Sequence, residues 1–275
     1  MKIYFHSSLF IFLAFFSIID CFGQKGNSLS LAAISFLNPS GVGGHLGTAG
    51  IGLAGQNRVR GGRIAKPDGN VGVYLGLGDP YKYIGVGATV NIFGLSNTYG
   101  SIGNLGEGGL DISINRLFLK VLFLKLGVCN ITNWRVEKHA IPVQKSYFGT
   151  GTVFFRSEKK AFGEPFSYIA FTAGAGNGLF RKDNDLDLNN SGHFNPFVSV
   201  AFPIFRKNNV IVEWTGYDIS TCISSSILFF KKVPILINLQ ATDYVLQPMR
   251  FGVSIGYYFN YLKTHQHDKK KNYEK

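Results

Sequence analysis

Glu213, Thr215 and Tyr217 occupy every second position of Glu213-Trp214-Thr215-Gly216-Tyr217-Asp218. On an extended strand they share one face, opposite Val212, Trp214 and Gly216. A carboxylate turned into the interior of a closed sheet needs partners, because burying an unpaired charge is costly. Arg58, Arg60, Asp111, Lys125 and Arg250 fall on or near inward faces and can supply a network around it. With Asn115, Asn238 and Gln240 they make up the candidate lumen-lining set. Such a ring sets ion selectivity or lines a solute path. The alternative is a structural network that fills and stiffens the interior.

Other residues that invite chemistry fit their motifs less well. Asp183, Asp185 and Asp187 place oxygen ligands at alternate positions, as a calcium loop does. That loop also requires Gly at its sixth position and Glu at its twelfth, and here those are Leu188 and Phe194. A solvated acidic loop is the simpler reading. The glycines of Gly174-Ala175-Gly176-Asn177-Gly178 are not followed by a helical pattern, so no phosphate loop is implied. They suit close strand packing or a strand end. Beyond the first 23 residues the histidines are His45, His139, His193, His265 and His267. A hydrolase would need Ser or Asp within hydrogen-bond reach of one of them, and no motif points to that. No enzyme activity and no cofactor are expected.

The elements that position these residues read as strands. In 250–259, Phe251, Val253, Ile255, Tyr257 and Phe259 alternate with Gly252, Ser254, Gly256 and Tyr258. Ile84, Val86, Ala88, Val90 and Ile92 oppose Tyr83, Gly85, Gly87, Thr89 and Asn91 in the same way. So do 110–115 and 235–242. A soluble sandwich also alternates, but its outer faces carry Lys, Glu, Asp and Arg. Here the faces opposite the apolar ones carry mostly Gly, Ser, Thr and Asn, which suits a crowded barrel interior.

Twelve strands follow: 47–59, 70–78, 82–94, 108–116, 121–131, 146–156, 167–176, 195–205, 209–217, 219–229, 233–242 and 248–260. Each is about the ~9–11 residues that a tilted crossing needs. The even-numbered connections are mostly short, the odd-numbered ones mostly long and polar. That asymmetry is expected of short periplasmic turns and long outer loops. The fold class is therefore all-β, a single transmembrane antiparallel up-and-down β-barrel of about twelve strands.

The ends of the chain are read separately. Residues 1–23 carry Lys2 and the apolar run 9–19, too short to span a bilayer and suited to a cleaved signal peptide. Residues 24–46 are read as an N-terminal periplasmic segment that could also plug the barrel mouth or simply be flexible. The barrel occupies 47–260, and 261–275 is a basic tail. The chain has 275 residues and a formal net charge of +12, but no stretch resembles a nucleic-acid-reading element, so no nucleic-acid partner is expected. Cys129 and Cys222 fall on distant strands and imply no disulfide framework.

Several stretches resemble a family of uncharacterised outer-membrane barrels of Gram-negative bacteria. They are Gln56-Asn57-Arg58, Gly76-Leu77-Gly78-Asp79-Pro80 with Tyr83 and Gly85, the Gly174–Gly178 run with Phe180-Arg181, and 213–218. The resemblance implies the barrel and its outer-membrane location but no catalytic residue. Arg250, Gly252, Ile255, Tyr257 and Phe259 also resemble the terminal assembly signal of such barrels, although a tail follows Phe259. The expected partners are outer-membrane lipid and the barrel-assembly machinery. The expected function is a passive channel or transport barrel for small solutes. The alternatives are a plugged barrel that acts through its outer loops or an envelope partner, and a barrel-embedded hydrolase.

Overall fold

A computed structural model describes residues 32–58, 60, 67–93, 95, 106–134, 144–161, 163–181, 193–229, 233–245 and 249–262. Twelve strands follow one another: β1 (Thr48–Gln56), β2 (Asp68–Gly78), β3 (Gly85–Phe93), β4 (Glu107–Phe118), β5 (Leu122–Trp134) and β6 (Ser146–Arg156). They continue with β7 (Tyr168–Gly176), β8 (Asn195–Phe205), β9 (Asn208–Trp214), β10 (Ile219–Phe229), β11 (Val233–Thr242) and β12 (Arg250–Asn260). Each strand pairs antiparallel with its neighbours in sequence, and β1 pairs with β12 from Thr48↔Asn260 to Gln56↔Gly252. The sheet is thus a closed up-and-down barrel with no free edge, the fold expected from the alternation.

The pleat sorts the side chains. Ile51, Leu53, Val73, Leu75, Ile112 and Ile255 point outward and are exposed, as are their counterparts around the barrel. Soluble monomers rarely leave large contiguous apolar surface bare, and hydrocarbon is the solvent that suits such a belt. No described helix is long and apolar enough to cross a membrane, which says nothing about crossing by strands. The inward positions carry small and polar residues, so the buried centre is a polar lumen crossed by a few apolar clusters.

Local chemistry fixes the strand ends. At the β4–β5 turn, Leu119 and Lys120 both take positive φ (50° and 61°), the geometry that matches hairpin twist but strains side chains with a Cβ. Within this hairpin a bulge falls between Leu110 and Ile112, opposite Asn130, which also has positive φ. Strand β9 ends at Trp214, earlier than the alternation implied. Thr215 donates to the Asp218 carbonyl oxygen (2.8 Å) and accepts from the Asp218 N–H (3.2 Å), closing a tight turn in place of the last three expected strand residues, 215–217.

Candidate functional site: the lumen and its inner strap

Residues 32–46 precede β1 and run inside the barrel. The strap begins against β9 and β10, where Ser224 Oγ accepts from the Ala33 N–H (2.8 Å) and Asn209 Nδ2 donates to the Ala33 carbonyl oxygen (2.8 Å). It then turns over Glu213. One oxygen of that carboxylate accepts from the Ser35 hydroxyl (2.6 Å), the Phe36 N–H (2.8 Å) and the Ser199 hydroxyl (2.9 Å). The other accepts from the Leu37 N–H (2.8 Å) and, at 3.4 Å, the Ser220 hydroxyl. Asn38 Nδ2 donates to Val198 O, Ser199 Oγ and Trp214 O, all on the same wall. Crossing the lumen, the Gly41 N–H donates to Thr152 Oγ1 on β6 (2.8 Å), and the Leu46 N–H reaches Gly78 O as β1 begins (2.7 Å).

Glu213 is only 1% exposed, and its bonds come from N–H and O–H groups of the strap and the neighbouring strands. Bonds that donate to an ionised carboxylate are stronger than neutral ones, so the charge is held by a cage of short dipoles. The sequence singles out this residue but not its strap partners Ser35, Phe36 and Leu37, which come from a segment with no periodic pattern.

Glycines let the strap approach the opposite wall. A Cβ on Gly85 would lie 1.9 Å from the Gly44 carbonyl oxygen, and one on Gly44 would lie 2.0 Å from Val86 O. Gly85→Ala is therefore expected to displace the strap or distort β3, lowering stability by about 1–3 kcal/mol. The thermal loss of the folded form on cold-loaded gels measures this; an unchanged midpoint would show that strap and wall are not in contact.

Three of the remaining candidates, Arg250, Arg60 and Tyr217, gather at the end of the barrel opposite the chain termini. Arg250 forms an ion pair with Asp243 through Nε and through Nη2 (3.2 Å), and Nη1 donates to Gln56 Oε1 (3.0 Å). Its Nη2 also reaches the Tyr217 hydroxyl at 3.5 Å. The Arg60 guanidinium lies 3.4 Å from the centre of the Tyr217 ring and donates to the carbonyl oxygens of Leu179 and Arg181. Arg58 is buried nearby in sequence. Asp111 serves the β-bulge: its carboxylate accepts from the Asn130 N–H and Asn91 Nδ2, each at 2.7 Å. Asn238 Nδ2 donates to Ser254 Oγ (2.8 Å), Gln240 packs against Gly252, and Lys125 and Asn115 face inward as register partners. Arg250, Gly252, Ile255, Tyr257 and Phe259 all lie on β12, which zips the barrel shut against β1.

Asp183, Asp185, Asp187 and His139 lie outside the described residues, as do 1–31 and 263–275. His193 is exposed at the loop end. Among the described residues no cluster of three or more His, Cys, Asp or Glu is placed to hold a metal, and Cys129 and Cys222 are both free thiols. The run at 174–178 is close packing, with Gly174 and Gly176 lying under the rings of Phe197 and Phe180.

The strap fills the lumen unevenly. Inward residues of β6 to β10, such as Thr152, Thr172, Ser199, Ser224 and Ile211, are 0% exposed. Inward residues on the other side, including Gly52, Gly72, Thr89, Ser113, Gln240 and Ser254, keep part of their surface exposed. Gly256, Gly52 and Gly72 are paired side by side across β12, β1 and β2, so the wall there is bare backbone. A Cβ added to Gly52 would meet only one carbonyl oxygen, at 3.7 Å.

The chain matches no protein-family model and no curated protein. Among solved structures it is similar to a KdgM porin in complex with disordered oligogalacturonate. The two are 9% identical, and the alignment covers 76% of this chain and 98% of that one at a TM-score of 0.44.

Proposed function

We propose that this protein is an outer-membrane β-barrel that passes small solutes along one side of a partly filled lumen. The observation that carries the reading is the uneven filling: the β6–β10 wall is sealed beneath the strap, while the glycine-lined wall of β11, β12 and β1 to β4 retains exposed inward surface. The outward apolar belt supports the membrane location, with export directed by residues 1–23 and assembly recognising β12. Planar-bilayer recording of the purified barrel tests the passage. A small, steady conductance is expected, well below that of an empty twelve-strand barrel. Gly52→Trp, placed on the bare wall, is expected to cut that conductance by roughly half or more by narrowing the lumen at that level.

A second reading is favoured by the strap itself. A lumen occupied by a hydrogen-bonded segment also suits a closed barrel that works through its outer loops or an envelope partner. A folded protein that never conducts, with a stoichiometric partner recovered from envelope pull-downs, would decide for that reading.

A further inference from the structure

Lys125 and Asn115 are directly paired across β5 and β4, and both side chains point into the barrel. Both press on the strap at one point. A Cβ on Gly43 would lie 2.6 Å from Lys125 Cε and 2.9 Å from Asn115 Oδ1. Asn115 is 3% exposed, yet neither its Nδ2 nor its Oδ1 has a hydrogen-bond partner. Among the described residues no carboxylate forms an ion pair with Lys125. The closest candidate on β4, Asp111, spends its oxygens on Asn91 and the bulge at Asn130.

The surroundings close the site on one side. His45, Tyr81, Phe123, Phe154 and Tyr168 form an unbroken series of edge-to-face ring contacts, with centroids 5.8–6.2 Å apart, across the mouth nearest the termini. On the other side, Ser113 is the next inward residue of β4 and keeps part of its surface exposed to the lumen.

A half-buried ammonium beside a buried, unbonded carboxamide is an unstable arrangement unless something satisfies both. A small anion accepts from Nζ and from Nδ2 together through short, strong charge-assisted bonds, and a second N–H of the ammonium remains for Asn115 Oδ1. We infer that the niche between Lys125, Asn115 and Gly43 is a binding site for a small monovalent anion, reached from the lumen past Ser113. The inference goes beyond solute passage and needs no transport to be true, so its test does not depend on conductance.

The probe is bromide. Crystals of the detergent-solubilised full chain grown in bromide are expected to show an anomalous peak within hydrogen-bond reach of Lys125 Nζ and Asn115 Nδ2, absent in Lys125→Met. In solution, replacing gluconate with bromide is expected to raise the unfolding midpoint of the wild-type barrel by roughly a few degrees. Lys125→Met and Asn115→Leu should lose most of that response. No peak in the wild type, with Lys125 bonded to Asn115 Oδ1 or to water, would overturn the site. So would an equal bromide response in wild type and both variants.

Discussion

Replacing Glu213 with leucine is expected to detach the strap from the barrel wall. Leucine has nearly the same size, so the pocket stays filled, but the Phe36 and Leu37 N–H groups and the hydroxyls of Ser35 and Ser199 lose their acceptor. Each buried donor left unsatisfied costs ~1–3 kcal/mol, and bonds to a charged acceptor are at the upper end. The losses are not additive within one network, and a total on the order of 3–5 kcal/mol is reasonable. The strap recovers most of it only by leaving the lumen and rehydrating. Chymotrypsin reports the change, because Phe36 and Leu37 are sheltered in the wild type and cleavable once released. Conductance should rise at the same time, since the lumen widens. Glu213→Gln keeps the shape and one carbonyl acceptor but turns an amide N–H group toward N–H donors, so an intermediate effect is expected. Full protection in Glu213→Leu would mean that the apolar contacts of Ala33, Ile34 and Phe36 hold the strap without the carboxylate.

The second large effect is at Arg250. Its guanidinium joins the end of β11, the start of β12 and the end of β1, which is the seam where the barrel closes. Asp243 is 6% exposed, so Arg250→Met strands a buried carboxylate. Breaking a buried pair in this way costs about 3–5 kcal/mol. Replacing both partners by apolar residues removes the stranded charge, so Arg250→Met with Asp243→Leu should recover part of the loss. The recovery is incomplete, because Asp243 has a φ of 64°, which Asn tolerates and Leu does not. Asp243→Asn in the Arg250→Met background is therefore the better-folding partner. Urea unfolding in lipid vesicles measures all of these. Equal midpoints for wild type and Arg250→Met would show that the seam is held by backbone pairing alone.

Much of this architecture is legible without coordinates. The alternation in 250–259 places Phe251, Val253 and Ile255 outward because a pleated strand allows only two faces. The same rule gives all twelve strands, with ends displaced where turn chemistry intervenes. Strand β9 is the clearest displacement: Thr215 and Tyr217 continue the period of Glu213, but the Thr215–Asp218 bonds close a turn instead. Alternation reports which face a residue can occupy, not whether the backbone remains extended.

The interior is harder to read, for a physical reason. Glu213 was recognisable as an inward carboxylate needing partners, and arginines were the natural candidates. Its partners are backbone N–H groups of the strap, 176 and 177 positions away. Residues 32–46 have no period of two or of 3.6, because they form no ladder with themselves and meet a different wall every few residues. The sequence by itself determined the barrel, its strand number and the polarity of its two faces, since those follow from local periodicity. Only the tertiary structure decided what fills the lumen, which of its walls stays open, and that Lys125 and Asn115 share one unsatisfied niche. Those depend on backbone groups brought together by closing the sheet, and a backbone amide looks the same at every position of a sequence.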